Sequence, residues 1–403
     1  MTTTKLIEEL LDYAGLKKGT ELGYRTARLS RLSWGDFFDV HGDDDGEYAH
    51  LPVMRSRLNE LRKQFPGIKN SKYQERDGHV YMLVPLDGSI SIPVLKTLID
   101  DAYEIVWQKL DDDGVFWIDC ATGSYNEKEL LDLFIDRYNL TGHRDTILNK
   151  LARNAILLKT KKAEAADIPI GATKFGGSPD LPDDAKWPIL NQGTALAFLC
   201  QINLAEVAQL GTVLDGFPKE GLLSVFSSDG CFEEDQSEPI SYRTDDIPHV
   251  ILLTKSGRSL TRRQLPESLR LFRPIDDASI DFQGLISLPK HRAEPAMANL
   301  GWSKEVYERF DTMEGKFRSV QMYRAFRDSS SSHHQLGGYA DFQQMFPEEL
   351  NGVDSSLLLQ LGTDFSWCQI EWGGDGGEFA LYVDNKALKK GRFEQVVAFR
   401  QGG

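Results

Sequence analysis

Few residues in this 403-residue chain have the types and spacing that chemistry needs. His333 and His334 stand together after the serine tract Ser329–Ser332. Such a pair offers a general base or metal ligands when a carboxylate orients it. The serine-rich surroundings predict a mobile, exposed loop instead. Asp43-Asp44-Asp45-Gly46 resembles part of a calcium loop, but that register needs an acid at position 41 and a Glu at 52. The chain has His41 and Pro52 there. Lys109 breaks the same register for Asp111-Asp112-Asp113-Gly114, so both runs read as solvated turns.

The phosphate-cradling Gly-x-x-x-x-Gly-Lys-Ser/Thr, the nucleophile elbow Gly-x-Ser-x-Gly and His-Glu-x-x-His are absent. So is Gly-x-Gly-x-x-Gly after a strand, and the Gly373–Gly377 run has the wrong spacing. Cys120, Cys200, Cys231 and Cys368 are far apart and form no Cys-x-x-Cys, which predicts free thiols rather than zinc ligands or a disulfide framework. No catalytic residue, metal site or cofactor is expected.

Two groups of residues point to binding. Gln201, Asn203 and Gln360 lie in apolar strand-like runs, and Asp375 follows Trp372 in a glycine turn. Polar side chains there must find partners, so Gln201, Asn203, Gln360 and Asp375 either line a ligand cleft or brace loops, with Trp372 beside them as a further binding candidate. The second group is basic: Arg55, Arg57, Arg62, Lys63, Lys69, Lys72 and Arg76, with Tyr73 among them. A basic face beside an aromatic suits nucleic acid. Its bland counterpart is the solvated side of a helix. The net charge of −15 argues against DNA, RNA and anionic membranes and for a basic protein partner.

The elements that must position these residues follow from periodicity. Leu6, Leu10 and Leu11 predict an opening helix. Trp34–Val40 and Glu47–Val53 predict two strands around a turn from His41 to Glu47. A helix from Met54 to Phe65 precedes a strand over His79–Leu86, and the stripe from Val94 to Leu110 predicts a second long helix. Leu130 to Leu158 reads as one or two helices broken near Thr141-Gly142. Glycine and proline become frequent after Ile168. Strands are expected at Leu196–Leu199, Gly221–Phe226, His249–Thr254, Ser356–Leu361 and Phe379–Val383, and a helix at Ser303–Phe310. Leu199-Cys200-Gln201-Ile202 echoes Leu358-Leu359-Gln360-Leu361, as an internal duplication would. No run approaches the roughly 20 apolar residues of a membrane span, and Glu8 and Glu9 fall where a signal peptide would be apolar. A cytoplasmic protein is expected.

Leu61-Arg62-Lys63-Gln64-Phe65-Pro66-Gly67-Ile68, Leu86-Asp87-Gly88 and the helix from Pro93 to Leu110 resemble the MmcQ/YjbR-like family. Here Glu75–Tyr81 lacks the tryptophan common in that family. Later blocks resemble the YwqG-like family: Gly171–Pro182 with Trp187-Pro188, Ala197–Leu204, Pro218–Leu223, Gly337–Asp341 and Trp372–Gly377. The resemblances imply an α+β protein. A frataxin-like α/β sandwich domain (1–113) and a helical connector (114–149) precede a larger, strand-rich YwqG-like α+β domain (150–403). The expected function is non-catalytic binding of a protein partner by the second domain. The alternative is a DNA-associated regulator that uses the basic cluster.

Overall fold

The computed structural model describes residues 3–15, 20–22, 26–29, 36–43, 46–71, 79–107, 112–189, 193, 195–211, 216–228, 247–269, 275–290, 292, 294–326, 333–342, 346–350, 352–364, 370, 372, 377–393 and 395–401. The chain forms two compact units. The first comprises residues 1–126 and 316–328, the second residues 127–315 and 329–403.

In the first unit, α1 (Thr3–Gly15) is followed by β1 (Thr20–Leu22), β2 (Thr26–Leu29), β3 (Asp36–Asp43) and β4 (Gly46–Met54). Then come α2 (Arg55–Gln64), β5 (Lys69–Asn70), β6 (His79–Pro85), α3 (Ile92–Trp107) and α4 (Asp112–Thr122). The strands pair in the order β1-β2-β3-β4-β6-β5. Phe38 and Val40 of β3 are buried on one side of their strand, every residue of β4 from Tyr48 to Val53 is buried, and Met82 and Val84 of β6 are buried. α3 buries Leu95, Leu98, Ile99, Ala102 and Val106, and Tyr13 of α1 donates to Asp100 of α3 at 2.9 Å.

Two expectations need correction here. The β3–β4 strands run on to Asp43 and Gly46, so His41 is a strand residue and not part of the turn. Asp112 and Asp113 begin a helix, where a solvated turn was expected.

The second unit opens with α5 (Glu127–Arg137), α6 (Arg144–Thr146) and a π-turn at Ile147–Leu151. β7 (Arg153–Lys162) follows, where a helix was expected to continue to Leu158. Its run Ala155-Ile156-Leu157-Leu158 is buried throughout. An apolar run covered on both faces carries no period that separates strand from helix.

β8 (Lys174–Phe175), β9 (Asp180–Leu181), β10 (Ala197–Asn203), α7 (Leu204–Ala208), β11 (Leu222–Ser227), β12 (His249–Thr254), β13 (Thr261–Arg262) and β14 (Ala278–Ser287) come next. They are followed by α8 (Lys304–Phe326), which from Lys316 on belongs to the first unit, and by β15 (His334–Gly337), β16 (Ser355–Gly362), β17 (Glu378–Asp384), α9 (Asn385–Leu388) and β18 (Val396–Gln401). All five strands expected in this half are present. α8 continues well beyond the expected Phe310. β15 corrects the reading of His334 as a loop residue, because His334 starts this strand and is fully buried.

Among the described residues, ten strands make one antiparallel sheet, in the order β12-β11-β10-β8-β14-β7-β15-β16-β17-β18. β7 and β14 lie at its centre with a wing on either side. The wings curl around a shared core that contains Leu199, Leu223 and Val225 from one and Leu359, Leu381 and Ala398 from the other. His249 of edge strand β12 places Nε2 2.9 Å from the Val396 carbonyl of edge strand β18, so the sheet nearly closes on itself. The fold is α+β, as the sequence implied. Among the described residues no helix is long and apolar enough to cross a membrane.

Candidate functional site

Corresponding strands of the two wings carry the same polar device. β8 leads into Gly176-Gly177 and β15 into Gly337-Gly338, and all four glycines have positive φ (64°, 62°, 70° and 73°). This is the left-handed region that glycine tolerates best. Each pair is followed three residues later by an aspartate, Asp180 or Asp341. The Asp180 N–H donates to Gln201 Oε1 of β10 at 2.9 Å, and the Asp341 N–H donates to Gln360 Oε1 of β16 at 2.8 Å. The echo between Leu199–Ile202 and Leu358–Leu361 is therefore also an equivalence in the sheet. β10 and β16 hold matching places, and their glutamines hold matching turns.

A Cβ on Gly176 would run into the Asp276 carbonyl, whereas one on Gly257 (φ 79°) would meet nothing within 4 Å. Gly176→Ala is expected to cost about 2–3 kcal/mol and Gly257→Ala about 1. Equal midpoints in urea unfolding would refute this reading of the turn.

In the first wing the network is complete. Gln201 Nε2 donates to the Ala172 carbonyl at 2.8 Å and to Asp180 Oδ2 at 2.7 Å. The fully buried Asp180 carboxylate also accepts from the Gly171 N–H at 2.9 Å and from Arg262 Nε at 2.9 Å. Burial pushes the Asp180 carboxyl upward, but the donors from Arg262, Gly171 and Gln201 outweigh it and hold it below its ordinary range. Arg262 further donates to the Ile168 carbonyl at 3.0 Å and to that of Ala165. Asn203 caps α7 by accepting from the Ala205 N–H at 3.0 Å, and donates to the Gly171 carbonyl at 2.9 Å. Gln201 and Asn203 thus brace the segment from Gly171 to Asp180, and Arg262 holds its continuation back to Ala165.

The second wing is less complete. Lys290 donates to Asp341 at 2.7 Å, and His333 Nδ1 stands 3.6 Å from the same carboxylate. Gln360 Nε2 is buried with no hydrogen-bond partner among the described residues. Trp372 is fully buried, stacks on Phe379 at 4.6 Å and donates to the Gly362 carbonyl at 3.2 Å. It packs the core. Asp375 lies outside the described residues.

His334 faces Asp364 at 3.3 Å, and Thr160 donates to the same Oδ2 at 2.6 Å. All three are fully buried. Burial lowers the His334 pKa despite the neighbouring carboxylate. Thr160 and His334 both bond Asp364 at one oxygen, with no access for a substrate. The arrangement pins β7 to β15 and the strand end beyond β16.

A small enclosed cavity of about 30 Å³ lies among Arg153, Glu294, Tyr339 and Tyr382. Glu294 Oε1 and the Tyr339 hydroxyl are buried there with no hydrogen-bond partner among the described residues. Burial raises Glu294 to about 8 and Tyr339 to about 12. Arg153 stacks on the Tyr339 ring at 4.2 Å. The space suits a bound water and is too small for an organic ligand. No local pattern marks these residues in the sequence.

A groove of ligand size, about 320 Å³, is lined by Asp167, Ile168, Pro169, Thr173, Glu206, Ile280 and Phe282, among others. Its wall is the segment that Gln201, Asn203 and Arg262 brace. Ile280 and Phe282 form an apolar side packed on the shared core. Asp167 and Glu206 supply two carboxylates, and among the described residues no basic side chain lines it. Glu206 Oε2 accepts from the Thr173 N–H at 3.3 Å, which ties α7 to the braced segment.

In the first unit, Arg55, Arg57, Arg62 and Lys63 are exposed on α2. Arg57 pairs with Glu60 at 2.9 Å, and Lys69 donates to the Tyr48 hydroxyl at 2.8 Å. Lys72, Tyr73 and Arg76 lie outside the described residues.

No curated protein matches the chain. The model of a family described as a domain of unknown function, DUF1963, matches residues 173–401, consistent with the YwqG-like blocks of the sequence. The match covers more than half of the 403 residues and takes in both glycine-pair turns, their glutamines and the closing strand, so the chain belongs to the DUF1963 family.

Proposed function

We propose that this protein binds a partner protein through the second unit, by seating a basic, partly apolar segment in the groove beside the Ala165–Asp180 wall. The observation that carries this reading is the groove itself: about 320 Å³ in volume, with Ile168, Pro169, Ile280 and Phe282 on its lining and Asp167 and Glu206 as its charges. An apolar side chain next to a lysine or arginine matches that surface. The net charge of −15 steers such a segment toward it. Gln201 and Asn203 act at one remove, by fixing the wall. The MmcQ/YjbR-like reading of the first unit rests on its sequence blocks.

The test is fluorescence polarisation of labelled peptides that alternate leucine or phenylalanine with lysine, against the same apolar pattern carrying glutamate. The basic series should bind the full chain. Asp167→Lys combined with Glu206→Gln should weaken it by about tenfold, or roughly 1.4 kcal/mol. Equal affinity for both series, or an unaffected double variant, would sink the proposal.

A further inference from the structure

The geometry points to a binding site for a first-row divalent transition metal in the first unit, formed by Asp39, His41 and His50. Asp39 and His41 are two residues apart on β3, on the side opposite the buried Phe38 and Val40. His50 of β4 is the direct cross-strand partner of Asp39, so all three side chains rise from one face of the hairpin. One donor atom from each lies within 4.8 Å of the other two. Asp39 Oδ2 and His41 Nε2 are 2.8 Å apart, and the two imidazoles meet edge to face at 5.0 Å.

Two imidazole nitrogens and one carboxylate oxygen suit zinc, iron(II), cobalt(II) or manganese(II) rather than calcium, which takes oxygen ligands. Metal bonds of about 2.0–2.2 Å place neighbouring donors roughly 3–3.5 Å apart. Any closing of the cluster to that spacing comes from side-chain rotation, because the β3–β4 ladder fixes its backbone.

His50 is oriented from outside the cluster. Its Nε2 lies 2.9 Å from Ser71 Oγ, and its ring stacks on Tyr81 at 4.7 Å. A partner on the second ring nitrogen is the usual companion of a metal-binding histidine, since it fixes the tautomer and the ring plane. His50 is buried, while the side chains of Asp39 and His41 are 19% and 39% exposed. The ion therefore reaches the cluster from the solvent side. Three protein donors leave coordination positions for water or a small ligand, as in reactive rather than purely structural sites.

The experiment is calorimetric titration of the full chain with Zn²⁺, repeated with Co²⁺ while visible absorption is recorded. One saturable site of micromolar or tighter affinity is expected, with cobalt d–d bands. His41→Ala and Asp39→Asn, both at partly exposed positions, should each weaken the site by at least about tenfold and alter those bands. Ser71→Ala should weaken it by about tenfold or more through His50 alone. Absence of saturable binding, or a His41→Ala variant that titrates like the wild type, would overturn the inference. Neither result bears on peptide binding by the second unit.

Discussion

Glu294→Gln should raise stability at neutral pH and flatten its dependence on pH between about 5 and 8. Glu294 is 4% exposed, and one carboxyl oxygen has no hydrogen-bond partner among the described residues. Burial raises its pKa from 4.5 to about 8, against the pull of Arg153. The folded chain therefore keeps this proton up to about pH 8, while the unfolded chain releases it near the ordinary value. Between those limits the unfolded state holds fewer protons, so stability falls as pH rises, by about 1.4 kcal/mol per unit for this one group. Across the window that amounts to several kcal/mol. Glutamine has nearly the same shape and no proton to lose, and its amide can donate to a water in the small cavity. Urea unfolding at pH 5, 6, 7 and 8 reads both slopes. A variant that keeps the wild-type slope would show that another group sets it.

Arg262→Ala should cost about 3–5 kcal/mol, because it leaves the buried Asp180 carboxylate without its cation. Asp180 has no exposed surface, and Arg262 also holds the carbonyls of Ala165 and Ile168. The low pKa of Asp180 gives the sign on acidification. Its contribution is present above the ordinary aspartate value and is lost as pH falls through the folded value. Asp180→Asn in the Arg262→Ala background should recover part of the loss, since the uncompensated charge is then gone. A double-mutant cycle by chemical denaturation measures this coupling. Independent, additive costs would mean that the two side chains do not act as a pair.

These two sites differ in how far the sequence revealed them. Asp180 and Gln201 lie in apolar or glycine-rich blocks that mark turns and strands, so a bracing role could be read from chain order. Arg262 could not, because β13 is a two-residue strand with no period. Arg153 and Glu294 meet only through the folded sheet and carry no local signature. The β3–β4 hairpin was legible in outline, but starting the turn at His41 hid the Asp39–His50 pairing. Alternation through Asp39 and His41, with the turn between Asp43 and Gly46, puts position 50 opposite position 39. β7 was misread because a run buried on both faces shows no polar side. His334 was misread because serine-rich neighbours outweighed a strand that begins only at that residue.

The central place of β7 has a consequence for how the second unit reaches its native state. β7 pairs with β14 on one side and β15 on the other, and both follow it at great distance along the chain. Each pairing must close a long loop before any contact rewards it, which slows folding. Until then Ala155-Ile156-Leu157-Leu158 has no sheet on either flank. It is a short, uncharged, β-prone segment of the kind that self-associates. Refolding yield should therefore fall with protein concentration, and a charge placed within this run to suppress that loss would fall in the core of the finished sheet.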